Sequence, residues 1–274
     1  MAMQDLWNKP LPEIRQFLAC IPPSGGHLQA ARIKIGAVPC ELFDPPDAGT
    51  SKAIVYFHGG GFCLGIYPSN REFVATIAQS THIKTVMPDY RLAPEQPFPA
   101  ALDDAKAVLG ELLKNEEKLI VMGDSSGCAL ALSALLALRQ TKIKKPAAIV
   151  FLTPMLDFAG KGDSMKTRAK NDPSQMEDPL KIAKIYLGEN DPCDPMFSPI
   201  YGAFENLPPA LVHAADNDVF LSDAERLSQK MKDAGCRCDL KIWPNMWHIF
   251  HMQGAVVPDA ATALHEIYNF IISI

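Results

Sequence analysis

The chain has 274 residues, of which 48% are hydrophobic and 21% charged, and 26 Lys+Arg against 31 Asp+Glu leave a net charge of -5. A chain of this length buries roughly three quarters of the surface it exposes when unfolded, and the composition is that of an ordinary globular protein, which excludes a disordered chain, a collagen-like repeat and a disulfide-framed miniprotein. The weak acidity gives no basic footprint for nucleic acid and no polybasic patch for a stable membrane anchor.

From the N-terminus, residues 11–20 read as an amphipathic helix, and a Pro-Pro-Ser-Gly-Gly loop follows at 22–26. Residues 30–44 read as an antiparallel hairpin. Short apolar runs then alternate with helical patterns: strands at 53–57 (AIVYF), 84–87, 118–122 (KLIVM), 148–152 (AIVFL), 210–214 (ALVHA) and 239–243, with helices at 70–81, 100–115, 126–140, 221–234 and 259–272. Runs that are apolar throughout, rather than alternating, are strands buried on both faces, and strand–helix alternation predicts a mostly parallel, doubly wound α/β sheet. Two segments break the rhythm. Residues 154–209 are long and rich in Pro, Asp and Gly, with one helix near 178–187, and a connection of that length in a compact domain calls for a functional role. We read residues 1–274 as a single domain whose segments at about 1–29 and 155–200 form a small cap over the strand ends.

The seven cysteines, at 20, 40, 63, 128, 193, 236 and 238, are odd in number and contain no C-x-x-C pair. Cys236-x-Cys238 matches no common zinc spacing, so the expectation is reduced thiols in a cytoplasmic protein, without metal. No run reaches the roughly 18 apolar residues that span a bilayer, and residues 1–12 lack the basic-then-apolar layout of a signal peptide.

Gly123-Asp124-Ser125-Ser126-Gly127 lies between a strand and a helix. This is G-x-S-x-G in the context of a nucleophile elbow, where a serine on a sharp turn lifts its hydroxyl clear of the sheet and glycines two positions away avoid a collision. His58-Gly59-Gly60-Gly61 follows another strand. Bare backbone can approach a ligand closely there, so the N–H groups of Gly60 and Gly61, with that of Ser126, make a candidate oxyanion hole. A phosphate cradle is the rival, and its usual glycine spacings are absent. His58 itself reads as a structural histidine that pins this loop.

A serine needs a base, and the base an orienting acid. Asp218 and His248 lie just past the strands at 210–214 and 239–243, where ligands gather in open α/β sheets. Asp216 is the alternative acid and His251 the alternative base. His213 reads as a core residue, and His27, His82 and His265 as surface residues. The Asp89-Tyr90-Arg91-Leu92-Ala93-Pro94-Glu95 turn reads as a rigid brace in which Arg91 pairs with Asp89 or Glu95.

HGGGF (58–62), DYRLAPEQPFPAALDDA (89–105), GDSSG (123–127), LTPMLD (152–157), SPIYG (198–202), the stretch 207–227 and WHIF (247–250) together resemble the hormone-sensitive-lipase-like esterases, the branch whose elbow reads G-D-S-A-G. The resemblance implies an α/β-hydrolase fold with an eight-stranded, mostly parallel sheet, helices on both faces and a small helical cap. It implies hydrolysis of carboxylic esters without a cofactor, with Ser125 as nucleophile, Asp218 as acid, His248 as base and Gly60, Gly61 and Ser126 as oxyanion donors. A small-molecule ester of short to medium acyl chain is the expected partner, and Leu6, Trp7, Phe17 and Met155 are candidate acyl-pocket residues. The family also implies a homodimer through a sheet edge, which the strand at 239–243 would supply. The alternatives are a narrow-substrate deacetylase or aryl formamidase/amidase, or a non-catalytic receptor on the same scaffold, which His248 argues against. Two departures stand out. Ser126 replaces the usual Ala, bringing a hydroxyl able to form a competing hydrogen bond, and the acid segment reads Asn217-Asp218-Val219 rather than Asp-Pro-Leu.

Overall fold

The computed structural model describes residues 6–22, 28–49, 51–139, 141, 143–172 and 178–274. The expected loop at 22–26 and the expected surface residue His27 fall outside these, except Pro22.

Strands β1 (Ala31–Ile35), β2 (Val38–Phe43), β3 (Lys52–Phe57), β4 (Thr85–Pro88), β5 (Lys118–Asp124), β6 (Ala148–Leu152), β7 (Ala210–Ala215) and β8 (Cys238–Trp243) form one sheet in the order β1-β2-β4-β3-β5-β6-β7-β8. The first two strands are a hairpin, joined antiparallel to β4, and every pairing from β4 to β8 is parallel. This is the eight-stranded sheet that the resemblance implied.

The side-chain alternation of β3 and β5 separates two apolar cores. Ile54, Tyr56, Ile120 and Met122 pack with Phe73, Val74 and Ile77 of α2 (Pro68–Thr81) and with Ile267 and Ile271 of α8 (Pro258–Ser273). Val55, Phe57 and Val121 face the opposite layer, made of α3 (Ala100–Asn115), α4 (Ser126–Leu138) and α7 (Leu221–Asp233). Helices thus cover both faces, as purely apolar strands require. α4 follows β5 into the middle of its layer and is buried all round from Ser126 to Leu136, so its Ala, Leu and Gly sequence has no polar face.

Helix α1 (Leu11–Ala19) packs in a small cluster of its own, whereas the 154–209 segment sends Met155, Phe158, Tyr186 and Phe197 into the core layer that holds Val55 and Phe57. The segment holds α5 (Ser164–Thr167), which sequence periodicity did not predict, α6 (Lys181–Leu187) and a 3₁₀ turn at Pro199–Tyr201. Its Phe158, Tyr186 and Phe197 join Phe62 and Phe98 in an aromatic cluster, with Phe62 stacked on Tyr186 at 4.3 Å. The start of the segment is tied down by polar groups. Asp223 of α7 accepts the N–H groups of Leu156 and Asp157 at 2.7 and 2.9 Å, and Asp157 pairs with Arg226 at 2.5 Å and accepts from the Tyr201 hydroxyl at 2.8 Å. The other segment docks through Leu6, Ile14 and Leu18, which pack against Leu64 and Tyr67.

One expectation changes here, the partner of Arg91. Arg91 pairs with neither Asp89 nor Glu95: its side chain turns toward α3 and meets the Asp104 carboxylate at 2.8 Å, while the same carboxylate accepts its backbone N–H. Glu95 instead meets Arg15 of α1 at 2.7 Å. Among the candidate pocket residues, Leu6 and Met155 are core side chains and Phe17 is 41% exposed, because α1 turns Ile14 and Leu18 inward and that face excludes Phe17. β8 lies at the free edge of the sheet. Among the described residues no helix is long and apolar enough to cross a membrane.

Candidate active site

The sheet delivers three loops to one end, from β5, β7 and β8. Between β5 and α4, Ser125 adopts φ 51° and ψ -126°, a conformation that bulky L-residues avoid. It is held there by its N–H, which donates to Leu152 O at 3.0 Å. The flanking glycines are required by packing. A methyl on Gly127 would strike the carbonyl oxygens of Phe57 and His58, and one on Gly123 would come to 2.9 Å from the backbone of Gly127.

His248 Nε2 lies 2.9 Å from Ser125 Oγ, and His248 Nδ1 lies 2.9 Å from Asp218 Oδ2. The other carboxylate oxygen of Asp218 accepts the N–H of Phe220 at 2.9 Å, which fixes its plane. The acid and base loops are stitched together where the N–H groups of Asp216 and Asn217 donate to Trp243 O and Met246 O, both at 3.1 Å. Asp216 takes no part: its Oδ1 has no hydrogen-bond partner. His251 is turned away and faces His213 at 3.4 Å. Burial would lower the pKa of His248, but the charge and hydrogen bond of Asp218 outweigh it, with help from Asp172 and Asp124, and the net shift is upward from 6.5. An imidazole so placed accepts the serine proton readily.

The glycine loop after β3 sits against the elbow. Asp124 Oδ1 accepts from the Tyr56 hydroxyl at 2.6 Å and from the Gly59 N–H at 2.9 Å. Burial pushes this carboxyl up to about 6, against those two hydrogen bonds. Each glycine has its own reason. A methyl on Gly59 would collide with the Asp124 carboxylate, and methyls on Gly60 and Gly61 would each come to 2.9 Å from a side-chain carbon, of Leu64 and of Ile182. Gly60 and Gly61 also have φ +103° and +61°, open to glycine. Since Gly59 is already bonded, the remaining loop donors are Gly60 and Gly61. Among the described residues the N–H groups of Gly60 and Ser126 have no acceptor, whereas that of Gly61 donates to Ser126 Oγ at 2.8 Å.

His58 is a structural group. It stacks on Tyr90 with ring centroids 4.2 Å apart, donates through Nδ1 to Gly59 O at 2.8 Å, and its carbonyl accepts the Tyr90 hydroxyl at 2.7 Å. Complete burial lowers it to about 4, so it stays neutral. His213 is likewise buried and lowered to about 3, with Nδ1 accepting from Trp243 Nε1 at 3.2 Å. His82 and His265 are exposed. Asp124 and Tyr56 are the partners that sequence reasoning did not assign, although Asp124 stands inside the elbow motif itself.

The family model described as "alpha/beta hydrolase fold" matches residues 54–252. The chain belongs to that family. An acetyl-hydrolase of Streptomyces hygroscopicus is 34% identical over 230 residues, covering 82% of this chain and 77% of the relative. An esterase of Acinetobacter venetianus is 32% identical, covering 83% and 77%. Among solved structures, an esterase from the bacterial hormone-sensitive lipase family superposes with a TM-score of 0.91 at 32% identity, covering 99% of this chain and 95% of the other. EstE5, soaked with p-nitrophenyl butyrate, superposes with a TM-score of 0.91 at 31% identity, covering 99% and 96%. The chain is thus an esterase of the hormone-sensitive lipase family, with relatives in that family that match it over most of its length.

Proposed function

We propose that Ser125, His248 and Asp218 are the catalytic triad of a serine carboxylesterase acting on short- to medium-chain acyl esters. The observation that carries this reading is the pair of 2.9 Å hydrogen bonds linking Ser125 Oγ to His248 and His248 to Asp218. In the first step His248 Nε2 takes the Ser125 proton as Oγ attacks the ester carbonyl, and the carbonyl π electrons move to oxygen. The oxyanion is held by donors among Gly60, Gly61 and Ser126. It collapses, the C–O bond to the alcohol breaks, and His248 gives that alcohol its proton. In the second step water loses a proton to His248 and attacks the acyl-enzyme, and collapse of that intermediate releases the acid and returns the proton to Ser125.

The acetyl-hydrolase and esterase relatives, and the butyrate ester soaked into EstE5, favour small acyl groups for this chain. Residues 6–22 and the 154–209 segment, docked outside the sheet, support reading both as a cap that shapes the acyl site. The elbow's Gly-Asp-Ser start supports placing the chain in the G-D-S-A-G branch, with Ser126 as its departure. Free thiols at all seven cysteines favour a reducing compartment, the cytoplasm. The free edge of β8 is the surface for a homodimer, and a monomer in light scattering at micromolar concentration overturns that part.

The test is hydrolysis of p-nitrophenyl esters from acetate to decanoate by wild type and by Ser125→Ala. Loss of turnover in folded Ser125→Ala is the expected result, with the rate declining toward decanoate. Unchanged turnover in that variant overturns the nucleophile assignment, and a maximum at decanoate overturns the acyl preference.

A further inference from the structure

Anything that accepts the Gly61 N–H stands where that donor would meet an oxyanion. In this chain the group standing there is the Ser126 hydroxyl, at 2.8 Å, on a residue with no solvent exposure. A hydroxyl carries one proton and two lone pairs. One lone pair is taken by Gly61, and among the described residues the Ser126 proton has no acceptor. The N–H groups of Gly60 and of Ser126 itself, which also have no acceptor among the described residues, are donors too. The hydroxyl, with one donor already on its oxygen, keeps its own proton for an incoming acceptor.

We propose that the Ser126 hydroxyl is itself an oxyanion donor, standing in for the Gly61 N–H and polarised by it. The inference rests on the Ser125 acyl-transfer reading above. The donor set is then the N–H of Gly60, the N–H of Ser126 and the O–H of Ser126, with Gly61 behind the hydroxyl as its donor. No bond is made or broken at Ser126: the proton stays on Oγ while its hydrogen bond strengthens as charge develops. Chains of this kind reinforce one another, and a hydroxyl bonded to an anion gains more than one bonded to a neutral carbonyl. The contribution therefore grows from ground state to transition state, which is the condition for raising kcat rather than lowering KM.

The experiment compares Ser126→Ala and Ser126→Cys with wild type, using p-nitrophenyl butyrate turnover and inhibition by an alkyl trifluoromethyl ketone, which forms a tetrahedral adduct on the nucleophile. Loss of one donor outright costs about 10²–10³ in turnover. Ser126→Ala leaves the Gly61 N–H free to take over part of the role, so the expected loss is smaller, about 10-fold in kcat with KM unchanged and ketone affinity reduced by the same factor. Ser126→Cys keeps the buried volume but donates weakly, and falls in the same direction. Ser126→Ala turnover and ketone affinity equal to or above wild type overturn the proposal and make the hydroxyl a plug on Gly61. A loss in Ala absent in Cys overturns it as well, because packing alone then accounts for the effect. Ser125→Ala run alongside separates the two levels: if it retains turnover, the underlying triad reading fails, whereas a dead Ser125→Ala with an unimpaired Ser126→Ala removes only this proposal.

Discussion

Asp124 joins the two motifs from which the proposed acyl transfer is built, and its replacement by Ala has a consequence that follows from the geometry. Its Oδ1 accepts two buried donors, the Tyr56 hydroxyl at 2.6 Å and the Gly59 N–H at 2.9 Å. Both Tyr56 and Asp124 are essentially without solvent exposure, so water does not replace the lost acceptor without rearrangement. Leaving a buried donor unsatisfied costs about 1–3 kcal/mol, so Asp124→Ala destabilises by about 2–6 kcal/mol. For a chain of this size about 2 °C of Tm goes with each kcal/mol, giving a fall of roughly 4–12 °C.

The same change releases the start of the glycine loop, and a small displacement of oxyanion donors lowers kcat by about 10²-fold. Asp124→Asn keeps an amide oxygen for both donors, so it loses less stability and less turnover than Ala. The assays are thermal unfolding by circular dichroism and p-nitrophenyl butyrate kinetics on both variants. Wild-type Tm and kcat in Asp124→Ala would refute the reasoning, as would equal losses in the two variants, because the first says the bonds contribute nothing and the second that the acceptor oxygen is not what matters.

Three further outcomes are expected. In wild type the acidic limb of kcat/KM lies above pH 6.5, because His248 must be neutral to act as base and its pKa is raised in the folded protein; Asp218→Asn moves the limb to lower pH and, by favouring the wrong tautomer, lowers kcat by roughly 10⁴, both read from pH–rate profiles. Arg15 donates to Cys63 O at 2.6 Å and to Ala93 O at 2.7 Å, so Arg15→Ala undocks α1 from the loop after the glycine motif, costing about 2–4 kcal/mol and exposing residues 11–22 to limited proteolysis; unchanged digestion speaks against the latch. Gly127→Ala yields no folded enzyme, because its methyl meets two backbone carbonyl oxygens, and a soluble variant with wild-type Tm contradicts that packing.

What was legible in the sequence is what local chemistry writes. Buried strands show as apolar runs, and the run 148–152 coincides with β6 at both ends. The strand expected at 84–87 runs instead over Thr85–Pro88, since Pro88 pairs with Cys40 across the sheet, a constraint no local window contains. The elbow and the glycine loop were legible because each needs glycine for a reason that acts within a few residues. The partners of the charged side chains were not. Sequence proximity pairs Arg91 with the charges beside it in the chain, yet it turns to Asp104, and Glu95 reaches Arg15 across 80 positions. The role of Asp124 is hidden for a related reason: its neighbours in the motif are glycine and serine, and the donors it serves come from β3 and the loop after it. Direction of a side chain depends on the path of the loop that carries it, and that path is set by the whole sheet.

The backbone shows where this fold accepts strain. Among the described residues seven non-glycine positions have positive φ, and three of them, His82, Asn206 and Asn245, are types that tolerate it. The other four are Phe62, Ser125, Thr153 and Ile249, and each follows a strand of the parallel sheet at the same end, after β3, β5, β6 and β8. Two are β-branched, for which this region costs about 1–3 kcal/mol. Local bonds hold them there: Thr153 N–H donates to His213 O at 2.7 Å, and its Oγ1 accepts the Ile249 N–H at 3.2 Å. Thr153 thus couples the strand beside the nucleophile to the residue after His248. Phe62 is held by its stack on Tyr186. The two apolar layers flanking the sheet supply the stability that this arrangement draws on, and the strained positions are the ones that lift the hydroxyl, the imidazole and the glycine loop out of the sheet toward one another.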